Sequence, residues 1–251
     1  MLLEDRVVIV TGGGHGIGRA YCLGVAQEGG RVVVADIDGA AADSVAEEIG
    51  DHRAIAVQAD VSRLSSCQEM AKAAVDRFGR IDGLINNAAI FATVPISRVG
   101  FQEISEDEWD RTMEVNVKGM WLCCRAVAPA MQERKHGSIV NISSSTVLSG
   151  SATRIHYVAS KAAVIGFSRV LARELGPDNI RVNTIAPGST LSEANPDEET
   201  LKMRQRNVGI RALARVELPG DLVGTALYLL SDLSAFVTGQ MIVVAGGEAM
   251  Y

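Results

Sequence analysis

RVVIVTGGGHGIGRA, residues 6–20, opens as a run of β-branched residues and closes as a helical pattern, with a glycine-rich turn between. Such a turn needs glycine where the backbone is left-handed or must approach a ligand closely. Gly12, Gly16 and Gly18 have that placing, in the spacing GxxxGxG rather than GxGxxG. A helix starting at His15, Gly16 and Ile17 would present free N–H groups and a partial positive charge, which suits a pyrophosphate. The reading is therefore strand, phosphate-binding turn, helix.

The rest of the chain repeats that alternation. Apolar runs at 31–36, 54–60, 83–87, 138–143, 181–186 and 241–245 read as further strands. They are nearly continuous rather than alternating, as in strands buried on both faces. Amphipathic stretches at 16–28, 39–49, 65–78, 107–134, 157–175 and 219–231 lie between them. Alternating β and α elements predict a doubly wound parallel sheet between two helical layers. No repeat, low-complexity tract or linker interrupts residues 1–251, which predicts one domain. Two segments read as excursions, 90–104 and 188–216, the latter as a substrate lid. Both follow strand carboxyl ends, where ligands bind in such sheets.

Composition excludes several classes. The net charge of −6 and 4% aromatic content argue against a nucleic-acid binder. The 47% apolar content supports a sizeable core. Cys22, Cys67, Cys123 and Cys124 lack the spacing of a metal site or CxxC pair and read as buried thiols, so a reducing, cytoplasmic compartment is expected. No stretch reads as a signal peptide or a membrane span, so no membrane partner is expected.

Strand ends carry the polar residues. Asp36 would accept hydrogen bonds from adenosine ribose hydroxyls and repel a 2′-phosphate. The next residue is Ile37, and His15 rather than a basic residue precedes Gly16, so NAD(H) is favoured over NADP(H). Asp60 and Val61 in ADV would meet the adenine. Asn87, Ala88 and Ala89 in NNAA would let a cofactor pack on backbone. The serine triplet 143–145 leaves the fifth strand at the same rim. Tyr157 and Lys161, in YVASK, share a helix face. A phenol has a pKa of about 10, and a nearby ammonium favours the phenolate. A phenol so tuned can exchange a proton with an alcohol oxygen. His156 points about 100° away around that helix and reads as support for the site or as surface.

In combination TGGGHGIG, Asp36, ADV, NNAA, VNVKG, SIVNISS, YVASK and RVNTIAPG resemble the short-chain dehydrogenase/reductase superfamily, over essentially the whole chain. The resemblance implies a Rossmann-type sheet of seven parallel strands in three α/β/α layers and hydride transfer with a nicotinamide cofactor. By motif, Tyr157 is the acid/base, and Lys161 lowers its pKa and binds the nicotinamide ribose. Asn116 holds a water near Lys161, and Ser144 is the serine of the triplet that orients the substrate oxygen. Pro187 and Gly188 border the nicotinamide, with Thr190 or Ser192 at its carboxamide. NNAA departs from the family's NNAG at Ala89, and the 90–104 connection is longer than usual.

The implied activity interconverts a secondary alcohol and its ketone, a small-molecule substrate. Reduction of a 3-oxoacyl thioester is the alternative. Arg204, Arg206, Arg211 and Arg215 would then supply a cationic surface, opposed by Glu193, Asp197, Glu198 and Glu199. A non-catalytic NAD-binding protein fits less well, because the Ser–Tyr–Lys–Asn set is intact. The resemblance also implies a homo-oligomer, a tetramer or dimer, through helices at 107–134 and 157–175.

Overall fold

The structure, a computed structural model, describes residues 1–91, 94, 96–193 and 196–250. Seven parallel strands form one sheet: β1 (Val7–Thr11), β2 (Arg31–Asp36), β3 (Ala54–Gln58), β4 (Gly83–Asn86), β5 (Gly137–Ile142), β6 (Ile180–Pro187) and β7 (Met241–Val244). Their order is β3-β2-β1-β4-β5-β6-β7. The chain winds outward from β1 through β2 to β3, then crosses back and winds the other way from β4. The switch point lies between β1 and β4, where Thr11 pairs with Asn86 at the carboxyl ends. That is the crevice where such sheets hold ligands.

The helices are α1 (Gly16–Gln27), α2 (Gly39–Ile49), α3 (Leu64–Phe78), α4 (Glu106–Met113), α5 (Met120–Arg134), α6 (Thr146–Ser149), α7 (Ile155–Leu175), α8 (Glu198–Val208) and α9 (Gly220–Leu230). Because side chains alternate along a strand, β1 feeds two cores. Val7 and Ile9 join Met70 and Ala74 of α3, Val127 and Met131 of α5, and Ala172 of α7. Val8 and Val10 join Tyr21 and Val25 of α1, Val45 of α2, and Leu222 and Leu229 of α9. Two buried faces explain the unbroken apolar runs of the central strands.

Two elements differ from the sequence reading. The stretch at 107–134 is not one α-helix, because α4 and α5 are joined by a π-helical segment, Glu114–Gly119. The 188–216 segment holds the helix α8, which has little apolar pattern: Arg204 is its one buried residue. Residues 92, 93 and 95 of the first excursion and 194 and 195 of the second lie outside the described residues. Among the described residues, no helix is long and apolar enough to cross a membrane.

Candidate active site

A cavity of about 400 Å³ opens at the switch point and runs from the glycine turn to the start of α7. At one end the turn after β1 is folded tightly on itself. Gly12 and Gly16 have φ of +63° and +48°. A Cβ on Gly18 would lie 1.8 Å from the Gly12 carbonyl oxygen, so that position admits no side chain. Asn87 Nδ2 donates to the Thr11 and Gly12 carbonyls, at 3.2 and 3.0 Å, and holds the turn from the β4 side. The Thr11 hydroxyl oxygen accepts from the Asn87 and Ala88 backbone N–H groups.

Asp36, buried at the end of β2, accepts from Gly14 N at 2.9 Å through Oδ2 and from Asp38 N at 3.1 Å through Oδ1. Each carboxylate oxygen keeps a further lone pair for a ligand hydroxyl. Asp38 caps α2 through Ala41 N, and this bond, with help from His15, holds its carboxyl below the usual range. Its Oδ2 is 3.5 Å from His15 Nε2. Asp60 Oδ1 accepts from the Ser62 backbone N–H and hydroxyl, at 3.0 and 2.7 Å. Ile37 is exposed at the rim. His15, Gly16, Ile17, Asp36, Ile37, Asp60 and Val61 all line this end of the cavity. A narrow glycine turn and a helix N-terminus suit the pyrophosphate of a dinucleotide, and the far end is anionic.

At the other end, β5 delivers Ser144 and α7 delivers Tyr157 and Lys161, all three buried. The serines divide by hydrogen bonding. The Ser143 hydroxyl donates to the Lys161 carbonyl at 2.7 Å, and Ser145 N donates to the Pro187 carbonyl. The Ser144 hydroxyl oxygen accepts from the Thr146 hydroxyl at 2.9 Å and stands beside the phenol of Tyr157. Lys161 Nζ donates to the Ile142 carbonyl at 2.9 Å and lies 5.8 Å from the centre of the Tyr157 ring. Phe91 stacks on the Tyr157 ring, with centroids 4.5 Å apart.

Asn116 lies in the π-helical segment and does not line the cavity. Its Oδ1 accepts from Ile90 N at 2.8 Å, and its Nδ2 donates to Ser160 Oγ at 3.1 Å. The carboxamide thus braces Ile90, four residues past β4, against α7 and keeps one lone pair and one N–H for another partner. An extra residue per turn at a functional site is the usual place for a π segment.

Burial dominates the electrostatics. It pushes Tyr157 up to about 12, and Ser144, Arg154 and Arg204 draw it back only in part. Burial lowers Lys161 to about 8. The expected depression of the phenol by Lys161 is therefore not seen: the cations acting on it are two arginines, and the ammonium faces a carbonyl.

On the β6 side, Pro187, Gly188, Thr190 and Ser192 line the cavity. The Thr190 hydroxyl is engaged, donating to Glu217 Oε1 at 2.7 Å, whereas the Ser192 hydroxyl carries no such bond among the described residues. Gly188 N donates to the same carboxylate oxygen at 3.2 Å, and a Cβ at Gly188 would lie 2.5 Å from Glu217 Oε2. Arg211 holds Glu248 at 2.9 Å and stands 3.7 Å from Glu217. Burial raises the Glu217 carboxyl above the usual range.

Ser144, Tyr157 and Lys161 and the expected cofactor positions converge on this cavity, apart from Gly18, which acts by close packing. Of the two readings of His156, surface is excluded and support for the site fits: it is fully buried, with Nε2 3.2 Å from Glu108 Oε1. The cationic surface weighed for a thioester is opposed by carboxylates, as the sequence suggested for Glu193. Arg204 pairs with Glu193, Arg211 with Glu248 and Arg215 with Asp221, and Arg206 alone of the four has no such partner among the described residues. Sequence reading missed Phe91, Arg154 and Glu217. Arg154 lies one helical turn before Tyr157, which is a signal; Phe91 and Glu217 carry none.

The short chain dehydrogenase family model matches residues 6–202. A (2S)-[(R)-hydroxy(phenyl)methyl]succinyl-CoA dehydrogenase subunit, BbsD, of Thauera aromatica is 38% identical, over 100% of this chain and 99% of that one. An L-rhamnose 1-dehydrogenase (NAD(P)(+)) of a Sphingomonas species is 38% identical, over 98% and 97%. The crystal structure of a 3-ketoacyl-(acyl-carrier-protein) reductase from Brucella melitensis, complexed with NADH, superposes with a TM-score of 0.90. It is 31% identical and covers 98% of this chain and 99% of that one.

Proposed function

The chain belongs to the short-chain dehydrogenase family, oxidoreductases of CH–OH groups, and from that membership we propose that it interconverts a secondary alcohol and its ketone with NAD(H). The observation that carries this reading is the meeting of Ser144, Tyr157 and Lys161 in the cavity that begins at the glycine turn. Bound nicotinamide would supply the hydride acceptor or donor. Tyr157 takes the hydroxyl proton in oxidation and returns it in reduction, and Ser144 holds the same oxygen. Lys161 anchors the cofactor ribose. Asn116 keeps α7 in register with the end of β4, so that Tyr157 stays aimed at the oxygen.

Asp36 supports NAD(H) over NADP(H). A 2′-phosphate there would face Asp36, and none of the described residues that line this end of the cavity is a lysine or arginine. The adenine would lie against Asp60 and Val61, and Ser192 rather than Thr190 is the better carboxamide partner, because Thr190 is bonded to Glu217. Reduction of a 3-oxoacyl thioester is the second reading, supported by the similarity to the Brucella reductase. The paired state of Arg204, Arg211 and Arg215 weakens it.

Residues 1–251 form one domain in this reading, with 188–216 closing over the substrate, in a cytoplasmic homo-oligomer. Trp121 and Val170, exposed on α5 and α7, and the fully exposed Phe236 support pairing through these surfaces. The deciding experiment is a panel of secondary alcohols, ketones and acyl thioesters with each cofactor, for wild type and Tyr157→Phe. Alcohol-dependent NAD reduction that falls by orders of magnitude in the variant, with NADH binding retained, is the expected result. Near wild-type turnover by Tyr157→Phe would refute the mechanism.

A further inference from the structure

We infer that the substrate carries a carboxylate close to its reacting carbon, held by Arg154. The inference rests on the alcohol–ketone reading above and names the substrate class of that site.

Arg154 immediately precedes α7, three residues before Tyr157, and lines the cavity. Its guanidinium lies 5.8 Å from the centre of the Phe91 ring, which stacks at 4.5 Å on Tyr157. Two short steps therefore separate the cation from the phenol. Among the described residues no carboxylate pairs with it, and its Nε is buried without a hydrogen-bond partner. Arg204 Nε is orphaned in the same way, but Arg204 and Arg211 differ in having carboxylate partners. Arg204 holds Glu193 and the Ser189 hydroxyl, and Arg211 holds Glu248.

A half-buried, unpaired guanidinium is costly, because water is removed from it and no anion replaces the water. The Phe91 face compensates only in part. Burial lowers the pKa of Arg154, and the neighbouring Arg98 and Arg204 lower it further. Glu193 offsets Arg204, but Arg98, like Arg154, has no ion pair among the described residues, so this corner keeps an excess of positive charge. The carboxylates that line the cavity lie elsewhere: Asp36 and Asp60 sit at the ends of β2 and just past β3, and Glu248 is bonded to Arg211. A ligand carboxylate at the Tyr157 end completes the charge balance. The planar fork of arginine matches two carboxylate oxygens, which makes a carboxylate the fitting anion.

The test compares 3-hydroxybutyrate, 3-hydroxyhexanoate and mandelate with their amides, which keep the shape and lose the charge. Wild type should favour at least one acid over its amide by about 10- to 100-fold in kcat/KM, mostly through KM. Arg154→Gln should lose that preference, and Arg154→Lys should recover part of it. NADH fluorescence titration reports whether each variant is folded. Equal rates on acids and amides by wild type, or an acid preference that survives in Arg154→Gln, would overturn the inference. Tyr157-dependent oxidation of neutral alcohols in that case would leave the alcohol–ketone reading standing. Loss of all alcohol oxidation by wild type would instead remove that reading.

Discussion

Lys161 donates from its ammonium to the Ile142 carbonyl, 2.9 Å away, and the same nitrogen lies over the ring of Tyr157, 5.8 Å from its centre. Burial lowers the lysine to about 8 and lifts the tyrosine to about 12. Both shifts oppose the charged forms that proton transfer needs. An ordinary lysine titrates near 10.4, so the folded state binds fewer protons than the unfolded chain between about pH 8 and that value. Stability should therefore rise across this window, as the penalty for holding a buried ammonium is relieved. Tyr157 acts in the opposite sense above about pH 10, where the unfolded phenol ionises first. The expected result is that wild type gains stability relative to Lys161→Met between pH 7 and pH 10, by up to about 3 kcal/mol. Urea denaturation at the two pH values measures it. A constant difference would mean that the buried lysine is not shifted.

Asp36 has both oxygens engaged by backbone N–H groups, at 2.9 and 3.1 Å, and still faces the cavity. Asp36→Ala removes an acceptor for the ribose hydroxyls and the charge that repels a phosphate. KM for NAD should rise about 10- to 100-fold, and discrimination against NADP should shrink. Initial-rate kinetics with both cofactors decide it. If wild type prefers NADP, the role given to Asp36 is wrong.

How much of this was legible in the sequence depended on whether a residue's task is local. The strands could be read because both faces of the sheet are buried, so Val7 through Val10 are all apolar. The pair Tyr157 and Lys161 could be read because helical spacing fixes a shared face. The helix α8 could not, because EETLKMRQRNV has no apolar stripe and its buried contact is an arginine held by Glu193. The π-helical segment left no pattern of its own, since VNVKG continues a helical run on either side. The direction of the Lys161 ammonium was equally hidden. It depends on a carbonyl nineteen residues earlier, which the fold alone brings near. His156 was judged by its helical angle, and that angle could not show Glu108 packed over it.

Gly18 separates packing from propensity. Its Cβ would stand 1.8 Å from the Gly12 carbonyl, in a turn held by Asn87. Gly18→Ala must move backbone, so it should cost about 1–3 kcal/mol and weaken NADH binding at least tenfold. Gly224, exposed within α9, has nothing within 4 Å of its Cβ position. Gly224→Ala should instead raise stability by about 0.5–1 kcal/mol, through the helix propensity of alanine. Thermal denaturation and NADH titration of the two variants check both signs. Equal behaviour would show that the turn tolerates a side chain.

Glu108 joins the long connection before α4 to the residue beside Tyr157. Its two oxygens accept from the Ser97 backbone N–H and hydroxyl, each at 2.7 Å, and Oε1 faces His156 Nε2 at 3.2 Å. The Ser97 bonds hold the carboxyl below the usual range, with a smaller contribution from His156. A carboxylate so depressed contributes stability above the ordinary glutamate pKa, and the contribution is lost as pH falls through its lower folded value. Glu108→Ala frees Ser97 and leaves His156 buried without the Glu108 contact. The substrate wall should loosen while the glycine turn is untouched. KM for the alcohol should therefore rise about tenfold with KM for NAD unchanged, and Glu108→Gln, which can still accept from Ser97, should recover much of the loss. Steady-state kinetics for the two variants make the comparison. A matching rise in KM for NAD would place the damage in the fold as a whole, and no rise in either would detach Ser97 from substrate binding.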